Sequence, residues 1–189
     1  MRMKKQTLVG SVAAVALMLA TWGSLAYYVT SETTHNVISS GGIDIELVES
    51  AIDGSGKLVP FQNPENLLPG ETLSKIPEVK NDGHAAAFVR TRVDLTAVLA
   101  DGTVATVPEG LIGVNYNTAT WHRGEDGYFY YYEPLLGQAQ TEKLFDTVTI
   151  ASELGNLYKD ATFRMVVSAE AVQAANNGIT AEAAEGWEE

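Results

Sequence analysis

Hydrophobic and polar positions divide the chain into two regimes. From Leu8 to Ala20 the sequence is apolar except for Gly10 and Ser11, whereas Thr30 to Thr34 is wholly polar. Beyond Ser40 the pattern has a period of two. Ile43, Ile45 and Leu47 alternate with Asp44 and Glu46, which predicts a half-buried strand. In Ala86–Ala100, Phe88, Arg90, Arg92 and Asp94 share one face, and Val89, Thr91, Val93 and Leu95 share the other. Asp101-Gly102 predicts a two-residue hairpin turn, with Thr103–Val107 as the returning strand. A second hairpin turns at Asp126-Gly127. Tyr128, Tyr130 and Tyr132 fall on one of its faces; Phe129 and Tyr131 fall on the other and are placed in the core.

Lys143–Ser152 reads as another strand, and Glu153–Asp160 as a short helix or an irregular link. Ala161–Ala175 is compatible with helix or strand. The alternation of Phe163, Met165, Val167, Ala169 and Ala171 selects strand. Asp53–Gly56 and the proline-containing Asn63–Glu71 are loops, and the acidic 179–189 tail is compatible with a helix. Strands separated by turns, with short helical insertions and no internal repeat, predict a single all-β domain, an antiparallel β-sandwich.

The N-terminus changes the picture. Arg2, Lys4 and Lys5 precede the apolar run, and Ser24-Leu25-Ala26 follows it with small residues at the positions a signal peptidase reads. This is the layout of a secretory signal peptide cut after Ala26, so that the mature chain starts at Tyr27. An uncleaved anchor is the alternative reading, although a span of about 20 apolar residues is reached only by including several Gly, Ser and Thr. The expected organisation is a leader at 1–26, an extended arm at 27–40 and the sandwich at 41–189. The leader carries three basic residues and no acidic one, so its loss takes the net charge from −12 to −15. Such a chain repels nucleic acid and anionic lipid, and its contact with a membrane is expected only through the leader before cleavage. There is no cysteine, so stability has to come from burial and strand pairing rather than from disulfides.

Candidate chemistry is sparse. The histidines are His35, His84 and His122, and none lies in an H-E-x-x-H motif. Gly-x-Ser-x-Gly is absent, and no acidic stretch reproduces a calcium-binding loop. No catalytic, cofactor or metal residue is therefore assigned, and a site assembled only in three dimensions remains open. The run Tyr128–Tyr132 reads first as a core strand with amphipathic edges; tyrosines left exposed on it would offer area for a glycan or a neighbouring subunit.

Four stretches taken in order carry a family resemblance: "AYYVTSETTHNVISSGGIDIEL", "LLPGETLSKIPEVKNDGHAAAFVRTRVDL", "DGYFYYYEPLLGQAQTEKLFDTVTI" and "SAEAVQAANN". Together they resemble the TasA and camelysin proteins of Gram-positive bacteria, which are exported through the signal peptidase SipW. Two features depart from the family pattern: Tyr27-Tyr28-Val29, where an Asp often follows the aromatic residue, and the acidic tail. The resemblance implies a jelly-roll-like sandwich, secretion, and a place at the cell surface or in the biofilm matrix. It implies processing by a SipW-type peptidase around Ser24, Ala26 and Tyr27. It also implies self-association into fibres, with residues 27–40 added as a strand to the next subunit; Val29, Thr33, Val37 and Ile38 are the candidate donor-strand positions, and an arm that is disordered or docked on its own domain is the alternative. Other matrix components are possible partners. Because camelysins have been regarded as metalloproteases, a secreted metalloendopeptidase is one alternative, and a monomeric surface adhesin is another.

Overall fold

The computed structural model describes residues 28–35, 42–64 and 67–187, and for 28–35 the backbone alone. Twelve strands follow in chain order: β1 (Tyr28–His35), β2 (Ile45–Ile52), β3 (Leu58–Pro60), β4 (Thr72–Ser74), β5 (Ile76–Asn81), β6 (Ala87–Val98), β7 (Val104–Thr106), β8 (Ile112–Val114), β9 (Trp121–Arg123), β10 (Phe129–Tyr131), β11 (Thr147–Ile150) and β12 (Thr162–Gln173). The largest sheet has the order β1-β12-β6-β10-β9, with β7 also on β6; the other two run β4-β11-β8 and β3-β2-β5. The fold is the all-β sandwich that the alternation predicts.

Its spine is the antiparallel pair β6–β12, in register over the full length of β12 from Thr162↔Val98 to Gln173↔Ala87. Phe163, Met165, Val167, Ala169 and Ala171 are all buried, as a period of two requires of one face. They meet Ile45 and Leu47 of β2, Val79 of β5, and Val148 and Ile150 of β11 in one core. That choice of strand over helix for Ala161–Ala175 is thus decided by tertiary contact, because every second side chain is needed on the same side.

Backbone approach fixes the loop ends. Asn81 is fully buried. Its Nδ2 donates to the carbonyls of Ala85, Leu135 and Leu136 at 2.9, 3.2 and 3.3 Å, and its Oδ1 accepts from the Gly83 N–H at 3.0 Å. A Cβ at Gly83 would lie 2.3 Å from the Gly42 carbonyl oxygen, so only glycine fits this crossing of two chain segments.

Two expectations need correction. The Asp101-Gly102 turn is a three-residue loop, not a two-residue one, and the Asp126-Gly127 turn has the same length. They are closed by Leu99 N–H on the Thr103 carbonyl and Gly124 N–H on the Tyr128 carbonyl. Gly102 and Gly127 take φ of +84° and +86°, which lets a single left-handed residue end each loop. Glu153–Asp160 is, as read, an irregular link, with a 3-10 turn at Asn156–Tyr158. The tail up to Trp187 is irregular rather than helical; it is shaped by contacts with the sheet beneath it.

Candidate functional site

Two features stand out, one on the outer face of the large sheet and one at its edge. On the face, register places Arg90 of β6 opposite Glu170 of β12. Arg90 Nε donates to Glu170 Oε2 at 2.8 Å, and Nη2 lies 2.6 Å from the same oxygen. The side chains are only 6% and 7% exposed. The alternation puts Arg90 on one face with Arg92, but the two differ in burial. Arg92 and Asp94 do form an exposed pair, whereas Arg90 is covered by the C-terminal tail.

The covering is specific. Ala181 and Ala184 pack with Phe88, Tyr130 and Val172 in a second, smaller core, flanked by Tyr128, Ala174 and Trp187. The Arg90 guanidinium lies 3.8 Å from the Tyr128 ring centre and 4.7 Å from that of Trp187, a cation held between two aromatic rings. Asn177 fastens the tail by exchanging two hydrogen bonds with the Glu185 backbone, at 3.0 and 2.8 Å, and Trp187 Nε1 donates to the Ala181 carbonyl at 3.1 Å. Tyr128 Oη donates to Glu170 Oε1 at 3.2 Å, and Tyr130 Oη to Asp126 Oδ2 at 2.7 Å. Burial and then the Asp126 carboxylate push the Tyr130 phenol above its ordinary value.

Beside the tail the same face opens. Tyr132 is half exposed. The rings of His122 and Tyr132 lie 6.4 Å apart with planes 26° from parallel. His122 Nε2 is 3.4 Å from Glu182 Oε2. A hollow of about 120 Å³ lies between this hairpin and the tail residues Thr180–Glu182. A second of about 380 Å³, lined by Ala119, Thr120 and Glu133, shares the Tyr131–Tyr132 wall. The hairpin divides only in part as its alternation predicts: Phe129 is buried in the main core and Tyr131 packs against it, but Tyr130, on the face read as exposed, is buried beneath the tail. Trp121 Nε1 donates to the Glu142 carbonyl at 3.1 Å, and Tyr131 Oη accepts from the Glu142 N–H at 3.3 Å, so the base of the hairpin is clamped from below.

The second feature is the edge. β1 lies parallel to β12, with eight residue pairs from Tyr28↔Thr162 to His35↔Ala169. Val29 and Thr33 stand opposite Phe163 and Val167. Val37 and Ile38, like Ser24, Ala26 and Tyr27, lie outside the described residues. The three histidines are dispersed: His35 sits on β1, His84 in the turn before β6, and His122 on β9. Among the described residues, no three His, Cys, Asp or Glu side chains are grouped to hold a metal ion. No signal in the sequence singles out Glu170 or Trp187 as partners of Arg90, because the contact joins positions far apart in the chain.

No family model fits the chain, and no curated protein matches it.

Proposed function

We propose that this protein is a secreted structural subunit, of the TasA and camelysin type, that joins its copies by exchange of the N-terminal strand. The observation that carries the reading is the β1–β12 ladder. The segment expected to follow the leader cleavage is already a sheet-edge strand, and the same ladder can form with the arm of a neighbour at equal hydrogen bonding. A copy whose arm has left exposes the β12 edge along eight positions, a template for another chain. Passing the arm to the next copy is a heterologous contact, which propagates instead of closing. The high negative charge keeps the subunits soluble before assembly.

The absence of cysteine makes a direct test available. In the double variant Thr34→Cys/Ser168→Cys, cysteines stand opposite each other in the ladder, at a strand separation of about 4.8 Å that a disulfide spans. Oxidation under assembly conditions is expected to give a ladder of covalent multimers on a non-reducing gel. Deletion of 27–40 is expected to leave a folded monomer. A bridge that forms only within one chain, together with filaments from the deleted protein, refutes strand exchange.

A further inference from the structure

We propose that the open hairpin face around Tyr132 and His122 is a glycan-binding site, selective for neutral or amino-bearing pyranose chains. The inference does not rest on strand exchange; it stands on the geometry of the outer face.

The near-parallel rings of Tyr132 and His122 present aromatic surface to solvent. An aromatic face carries negative π-density, which attracts the weakly positive C–H groups on one face of a pyranose. A sugar also needs hydrogen-bond partners at its rim, and the two hollows supply them: Glu182 and Thr180 in one, Glu133 and Thr120 in the other. Carboxylates accept strongly from hydroxyl and ammonium donors. Tyr131 and Tyr132 form the wall common to both hollows, so a chain can run across Tyr132 with one sugar on either side. The combined space reaches the size of ordinary small-ligand sites. The platform is pre-formed, since the Trp121 and Tyr131 bonds to Glu142 hold the hairpin from the core side. Tyr130, next along the same face, is withdrawn under the tail, and its hydroxyl is committed to Asp126. Tyr132 is therefore the ring left for a ligand.

Charge sets the selectivity. Glu133 and Glu182 flank the rings, and the chain as a whole carries −12, so a uronic-acid polymer is repelled. A glucosamine unit with a free amine gains a carboxylate partner that its acetylated form lacks. An extended peptide, by contrast, gains most of its affinity from main-chain pairing along a strand edge, and the groups that line these hollows are side chains.

Isothermal titration calorimetry of the purified chain with four probes tests the proposal: glucosamine tetramer, its N-acetylated counterpart, galacturonate tetramer and tetralysine. Saturable binding is expected for the first two, tighter for the free amine, with none for galacturonate. Tyr132→Ala is expected to weaken binding about tenfold, and Tyr132→Phe to leave it within about twofold, since stacking needs only the ring. Glu182→Gln is expected to weaken the free-amine tetramer more than the acetylated one. Thermal melting of each variant confirms the fold, and the exposure of Tyr132 makes both substitutions tolerable. Three results each overturn the assignment: no saturable binding of either glucosamine probe, full affinity in Tyr132→Ala, or binding of tetralysine alone.

Discussion

Removing the Glu170 carboxylate tests whether the tail makes the outer face a true interior. In Glu170→Ala, Arg90 keeps its charge between Tyr128 and Trp187 but loses the anion that receives both its short contacts. A deeply buried pair broken this way costs about 3–5 kcal/mol, and an exposed pair about 0–1 kcal/mol. Arg90 lies between these limits. Its exposure is low, yet its cover is a single layer of tail and two aromatic rings. The expected loss is therefore about 2–3 kcal/mol, or a fall in Tm of about 4–12 °C for a domain of this size.

The assay is urea unfolding of Glu170→Ala in two backgrounds, the intact chain and one lacking 179–189. Without the tail the guanidinium regains water, and Glu170→Ala is then expected to cost less than about 1 kcal/mol. The double variant Arg90→Met/Glu170→Leu, which replaces both charges by apolar groups, is expected to recover most of the loss in the intact chain. An equal cost of Glu170→Ala with and without the tail refutes the reasoning, because the tail would not be what desolvates the pair.

Two further predictions concern single polar side chains, one buried and one at the surface. Asn81→Ala strips three carbonyls of their donor and is expected to cost about 2–3 kcal/mol in urea unfolding; a loss under about 0.5 kcal/mol would show that water replaces the amide. The Asp146 carboxyl is held below its ordinary value by the Lys143 ammonium and then by Asn115. Its contribution is thus complete above the unfolded value of about 3.9 and is lost as pH falls through the lower folded value. The stability gap between wild type and Asp146→Asn should be constant near neutrality and close only below about pH 4.

How much of this was legible depends on whether the signal is periodic. β12 declares itself through Phe163, Met165, Val167 and Ala169, because a strand with one buried face writes its own pattern. The inward face of the hairpin, Phe129 and Tyr131, follows for the same reason, whereas the burial of Tyr130 under the tail does not. The cover over Arg90 does not, since "TAEAAEGW" contains alanines and one tryptophan with no repeat. Its role depends on a surface built by residues far earlier in the chain. Lys75 is a second case. It is 1% exposed, paired with Glu49 at 2.5 Å and set 4.0 Å from the Phe61 ring centre. Burial pushes its ammonium below the ordinary value, with Glu49 opposing. A lysine between two short strands reads as solvated, and only the non-local partner reveals otherwise.

Strand β1 and the C-terminal tail complete the same sheet in different ways, and this bears on which of them can pass between copies. β1 meets β12 through a main-chain ladder, and a ladder is indifferent to which copy supplies the strand. The tail meets the sheet through a ring over a guanidinium and through Ala181 and Ala184 on Phe88, Tyr130 and Val172, and it is closed on itself by a reciprocal Asn177–Glu185 pair. Asn177 and Glu185 are only eight positions apart in the chain, so the fold of the tail is made locally, immediately after β12. A tail of that kind gains nothing from a neighbour, and its short connection to β12 leaves it little reach. Under the proposed assembly, exchange is therefore expected at the N-terminal edge while the C-terminal cover stays with its own subunit. A copy lacking 27–40 should still protect the Arg90–Glu170 pair, and one lacking 179–189 should still donate its arm.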